Sequence, residues 1–124
     1  MTPPELFAEV ATRAPSFNFF VEEHLRDHDG LLPHLLMSDL LRFVGSHYVP
    51  LSHTQAVPPT AAEVREILAI LDREVVGGDP ATENAIAVSF VENLEAEPFF
   101  APLLGAFGPN LRRQHGNMAW SNAG

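Results

Sequence analysis

A chain of 124 residues has the size of one domain and buries about two-thirds of the surface its unfolded form exposes. Its hydrophobic share of 46% excludes intrinsic disorder, and the absence of cysteine excludes disulfides and thiolate metal ligands. Sixteen acids against seven bases, net −9, would repel a phosphate backbone, so a nucleic-acid partner is not expected.

Helix signals begin at once. Thr2-Pro3-Pro4-Glu5 combines an N-cap, a proline at the first helical position and the glutamate of a capping box. Leu6, Phe7, Val10 and Ala14 follow at helical spacing. Pro15 stops that helix and Ser16 is placed to cap the next, whose stripe is Phe17, Phe20, Val21 and Leu25, with Gly30 as left-handed terminator. Pro33 opens a third helix with Leu36, Leu40, Phe43, Val44 and His47 on one face, and Pro50 ends it. Residues 50–59, with three prolines and no helical period, read as a surface loop.

Thr60-Ala61-Ala62-Glu63 spells a second capping box, and Val64, Ile67, Leu68, Leu71 and Val75 form the clearest apolar stripe in the chain. Gly77-Gly78 ends that helix, then Asp79 and Pro80 open a fifth. At about 100° per residue its apolar positions split between two faces, Ile86, Ala87, Phe90 and Leu94 against Ala81, Ala85 and Val88. Thr82, Ser89 and Asn93 are left as a narrow polar stripe. Such a helix is expected between other helices. A short sixth helix covers about Phe99 to Phe107, and the polar tail from 115 to 124 reads as flexible. No period-2 run of β-branched residues occurs. The expected fold is all-α, one domain over 1–114, with five or six helices in a compact bundle or helical-hairpin stack.

The longest apolar stretch, Pro98 to Phe107, is half of the roughly 20 residues a membrane span needs, and the N-terminus has no signal-peptide pattern, so a cytoplasmic location is expected. The acids are unevenly spread. Residues 1–30 hold six acids and two arginines, residues 60–97 nine acids and two arginines, and the chain from Pro98 onward has Arg112 and Arg113 with no acid. Acidic helices steer a basic protein partner. The outward side of the fourth helix, Glu63, Glu66, Asp72 and Glu74, is the predicted partner-binding surface.

The run Asn84-Ala85-Ile86-Ala87-Val88-Ser89-Phe90-Val91-Glu92-Asn93-Leu94, with Leu104-Gly105 and Gly108-Pro109 downstream, resembles a family of small bacterial helical proteins of unknown function. Gly30-Leu31-Leu32-Pro33-His34-Leu35, followed by Asp39-Leu40, resembles an earlier motif of the same family. The resemblance implies stacked helices; some relatives resemble immunity proteins that neutralise antibacterial toxins. It brings no catalytic residues.

His24 and His28 share one turn, with Asp27, Asp29 and His34 close in sequence, a pattern that zinc accepts. Their phase matches the packing stripe of the second helix, so they read as core and helix-end residues and no metal or cofactor is expected. His34 reads as a neutral histidine bonding a loop carbonyl, since no nucleophile stands at a definite offset. Glu92, between Ala85 and Val88 on a face expected to be covered, needs partners; Glu92 and Asn93 are the predicted structural clasp, with Arg112 or Arg113 folding back onto the carboxylate. The expected function is non-catalytic protein binding, in its sharpest form an immunity protein that occludes a basic toxin. The alternatives are a domain that self-associates through Phe99 and Phe100, and a histidine-based metal-dependent protein.

Overall fold

The computed structural model describes residues 1–53 and 58–123, with side chains at 1–46 and 62–116. Among the described residues every regular element is helical. The order is α1 (Pro3–Arg13), α2 (Pro15–His28), α3 (Pro33–His53), α4 (Pro58–Gly77), α5 (Pro80–Ile86), a π turn (Ala87–Val91), a 3₁₀ segment (Glu92–Ala96), α6 (Phe100–Gly105) and α7 (Pro109–Ala123). Among the described residues that is seven α-helices, where the sequence predicts five or six. No helix among the described residues is long and apolar enough to cross a membrane.

The local rules hold where the cap lies beside its helix. Thr2 accepts from the Glu5 amide at 3.4 Å while Glu5 accepts from the Thr2 amide at 2.8 Å, the reciprocal capping box. Asp79 accepts from the Thr82 amide at 2.9 Å and starts α5. The stripes of α1 and α4 are buried as predicted: Leu6, Phe7, Val10 and Ala14, then Val64, Ile67, Leu68, Leu71 and Val75. Helix α4 packs against α1, α2, α3, α5 and α7, so it is the element around which the others are laid.

Other boundaries differ. Helix α3 continues past Pro50 to His53, although a proline inside a helix removes one amide donor and crowds the carbonyl four residues back. The predicted loop at 50–59 is therefore partly helix; residues 54–57 lie outside the described residues, as does the side chain of His47. Helix α4 starts at Pro58, which puts Thr60 inside the first turn and not at the cap. Helix α2 starts at Pro15 on Ala14, without a side-chain cap, so Ser16 lies in the first turn. The left-handed residue that ends α2 is Asp29 (φ 51°), and Gly30 takes φ 145°, where a side chain would be strained.

The largest departure is in the fifth helix. The Glu92 amide bonds the Ala87 carbonyl, five residues back, so the chain takes one wide turn there. An extra residue per turn advances the phase of everything after it. Before the π turn the inward residues are Thr82, Ala85 and Ile86; within and after it they are Ser89, Phe90, Val91 and Leu94. Most of the residues assigned to two apolar faces at constant phase thus belong to a single inner face, interrupted by this shift.

Candidate functional site

Of the four acids predicted on the outward side of α4, Glu66 is exposed, and Arg13 lies 3.6 Å from it. Glu63 is buried, and its Oε1 accepts from the Ser16 amide at 3.3 Å. Helix α2 opens on Ala14, which has no side-chain acceptor, so α4 supplies one to its first turn. Asp72 does the same for α7. Its Oδ1 accepts from the amides of Asn110 at 3.0 Å and Leu111 at 2.9 Å, and its carbonyl accepts from Asn110 Nδ2 at 3.0 Å. The residue before Pro109 is Gly108, and a Cβ there would overlap the Asp72 carboxylate. Glu74 is buried and holds Arg73 at 2.8 Å and the Met1 amino group at 3.0 Å. Burial pushes the Glu74 carboxyl up, but these two cations outweigh it and hold it below the ordinary value. Three of the four acids thus tie helix ends and the N-terminal segment to α4, and they do not form one open surface.

The histidines separate. His24 is buried, and its Nε2 accepts from the Leu32 amide at 2.9 Å, which joins the end of α2 to the start of α3. That bond leaves the imidazole proton on Nδ1. His28 lies beside it with ring centroids 4.7 Å apart. Burial, then the neighbouring His28, lower the His24 pKa, against smaller opposing effects of Asp39 and Asp27. His34 does not join them. Its Nδ1 lies 2.7 Å from the hydroxyl of Ser89 on the π turn, where the sequence suggested a loop carbonyl.

This contact belongs to a polar seam. Asn93 Nδ2 donates to the Ser89 carbonyl at 3.3 Å and to Ser38 Oγ at 3.4 Å, and Ser38 donates to the His34 carbonyl at 3.1 Å. The seam binds α3 to the π turn and satisfies polar groups at the wide turn. The Ser89 hydroxyl lies under His34, buried, and faces the protein. Asn93, itself exposed, makes these bonds from the outer edge of the seam. Glu92 does not join the seam: it is exposed beside the exposed Val88, on the outer side of the segment. Arg112 donates instead to the Gly105 carbonyl at 2.9 Å. The clasp through Glu92 is therefore corrected; its premise, that the side of the segment carrying Val88 is covered, fails.

A surface not singled out in the sequence stands on α2. Phe19 is 62% exposed and Phe20 40% exposed, with the two rings edge to face at 5.7 Å. Phe20 also touches Phe43 of α3 at 5.7 Å, so the pair rests on a firm floor. In the next turn α2 carries the exposed Glu22 and the half-exposed Glu23, and further along lie the exposed Arg26 and Asp27, with Asp29 just past the helix end. The signal was present: Phe17, Phe19 and Phe20 cannot all face one core from a helix. Phe17 takes the core place, while Phe20 and Leu25, both assigned to the buried stripe, are exposed. At the other end of the chain, Phe99 is buried against α3 at Gly45, where a Cβ would overlap its ring, and Phe100 is half-buried. Phe99 therefore offers no exposed surface for self-association.

No curated protein and no solved structure matches the chain. A family model described as Domain of unknown function (DUF7674) matches residues 7–121. With almost the whole helical array inside that match, the chain belongs to the DUF7674 family.

Proposed function

We propose that this chain is a non-catalytic protein-binding domain whose contact surface is α2 and whose partner presents a basic surface with apolar residues. The observation that carries the reading is the exposed Phe19–Phe20 pair, with Glu22 and Glu23 in the next turn and Asp27 and Asp29 further along towards the end of the helix, against one exposed base, Arg26. Aromatic side chains of this kind supply binding energy, and the nearby carboxylates supply steering and selection of a positively charged partner. Immunity against a basic toxin is the sharpest form of this reading, since occlusion of a cationic active surface needs an acidic face with an apolar anchor.

The test is capture of partners on immobilised protein from the native host, followed by the same capture with Phe19→Ser/Phe20→Ser. The captured protein should be basic and should be lost from the double variant, while the far-UV spectrum of that variant stays helical. Association should also slow in Glu22→Lys/Asp27→Lys and with added salt. A partner that binds both variants as it binds the wild type overturns the assignment of α2.

A further inference from the structure

Helices α6 and α7 border an open surface groove of about 510 Å³ lined by Phe100, Ala101, Leu104, Gly105, Arg112 and His115. The volume falls within the range of small-molecule sites, about 300–1,000 Å³. We propose that this groove binds a small hydrophobic carboxylate, with the apolar body against α6 and the carboxylate on Arg112.

The floor is built for an apolar body. Phe100 and Leu104 are half-buried and packed on the core, so their exposed sides are held in place. Gly105 and Ala101 keep the mouth open. His115 forms one wall: its ring lies 5.6 Å from Phe100, and its Nε2 is engaged by Glu95 at 3.1 Å. The anion contact therefore falls to Arg112. Its Nη2 donates to the Gly105 carbonyl at 2.9 Å, which holds the guanidinium at the groove while using one of its five N–H donors. No carboxylate pairs with Arg112 among the described residues, and every Asp and Glu of the chain is among those described. The lining itself contains no acid.

Charge along the chain agrees. In a protein of net −9, the segment from Pro98 onward has two arginines and no acid. A planar guanidinium with free donors matches a carboxylate in two places. The carboxylate at the rim, Glu95, is already engaged by His115 Nε2, so an amine of the same size would have to compete for it. This site is independent of the α2 surface.

Three probes with one alkyl chain separate the contributions: decanoate and decylammonium, each titrated calorimetrically below its micelle concentration, and decanol, titrated below its solubility limit. Decanoate should bind about tenfold or more tightly than decanol, the factor a charged hydrogen bond supplies, and decylammonium should not bind. Arg112→Gln should bring decanoate down to decanol. Gly105→Leu should abolish binding of both with the melting temperature unchanged, because a Cβ at that position meets no neighbour. Absence of decanoate binding, equal binding of decylammonium, or a carboxylate preference that survives Arg112→Gln overturns the proposal. The wild-type comparison of the three probes stands even if a variant fails to fold.

Discussion

Helices α2 and α4 are both acidic, yet their carboxylates do different work. On α4, Glu63, Asp72 and Glu74 each reach another element: the first turn of α2, the first turn of α7, and the Met1 amino group together with the neighbouring Arg73. On α2, Glu22 accepts from Asn18, one turn away on the same helix, and Asp27 faces water, as does Asp29 at the helix end. The contrast comes from placement. Glu63 and Glu74 lie beside the apolar positions Val64 and Val75, at the edge of the buried stripe, and α4 is surrounded by the starts of other helices. Amides at helix N-termini need acceptors, and a nearby carboxylate meets both that need and the helix dipole. Acidic composition alone therefore does not mark a binding surface.

Breaking the α4 contacts should give the largest effects. Glu74→Ala removes a buried, charge-assisted acceptor, and urea unfolding should show a loss of about 2–3 kcal/mol. Asp72→Ala uncaps α7 and should cost about 1–2 kcal/mol, whereas Asp72→Asn, which keeps an acceptor oxygen, should recover most of it. Losses below about 0.5 kcal/mol at both positions would mean that these acids are no more than surface charge.

A smaller effect concerns the corner between α2 and α3. The folded His24 pKa lies below the ordinary 6.5, so above pH 6.5 the imidazole is neutral in both states and its contribution is complete. As the pH falls below 6.5, the unfolded chain binds a proton that the folded His24 refuses, and stability is lost until the folded pKa is passed. Protonation would also place a second donor against the Leu32 amide. His24→Gln can still accept that amide and does not titrate. Its stability should change less between neutral pH and the onset of carboxylate titration than that of the wild type; an unchanged pH profile would remove His24 as the cause. The smallest effect is at Glu92: with its carboxylate in water, Glu92→Gln should stay within about 0.5 kcal/mol of wild type.

Much of the fold was legible because its determinants are local. Thr2 and Asp79 cap the helices they precede, and the stripes of α1 and α4 need only a constant 100° step. What was not legible depends on tertiary contacts or on a change of helical phase. Ala14 and Gly108 precede Pro15 and Pro109 without offering a cap, and the acceptors come from α4, with Glu63 47 residues from Ser16 and Asp72 38 residues from Asn110. Helix α7 was hidden for that reason: its polar composition gives a weak stripe, and it is anchored by Leu111, which is fully buried, and by Asp72. The π turn at Ala87–Val91 shifted every later residue, so the expected polar stripe is divided, with Thr82 and Ser89 buried and Asn93 exposed. For the candidate surface, the acids were visible but their allocation was not, because burial at the edge of an apolar stripe depends on which helices pack there.

That α4 uses its acids within the fold while α2 does not is tested most directly by urea unfolding of two triple variants, Glu63→Ala/Asp72→Ala/Glu74→Ala and Glu22→Ala/Glu23→Ala/Asp27→Ala. Each removes three negative charges, so the change in overall charge is the same in both. The α4 variant should lose about 4 kcal/mol or more, from one lost cap, one lost cross-helix acceptor and one lost charged contact. The α2 variant should stay within about 1 kcal/mol of wild type, as solvent-facing substitutions do. Equal losses in the two variants, or a larger loss in the α2 variant, would contradict this division of roles.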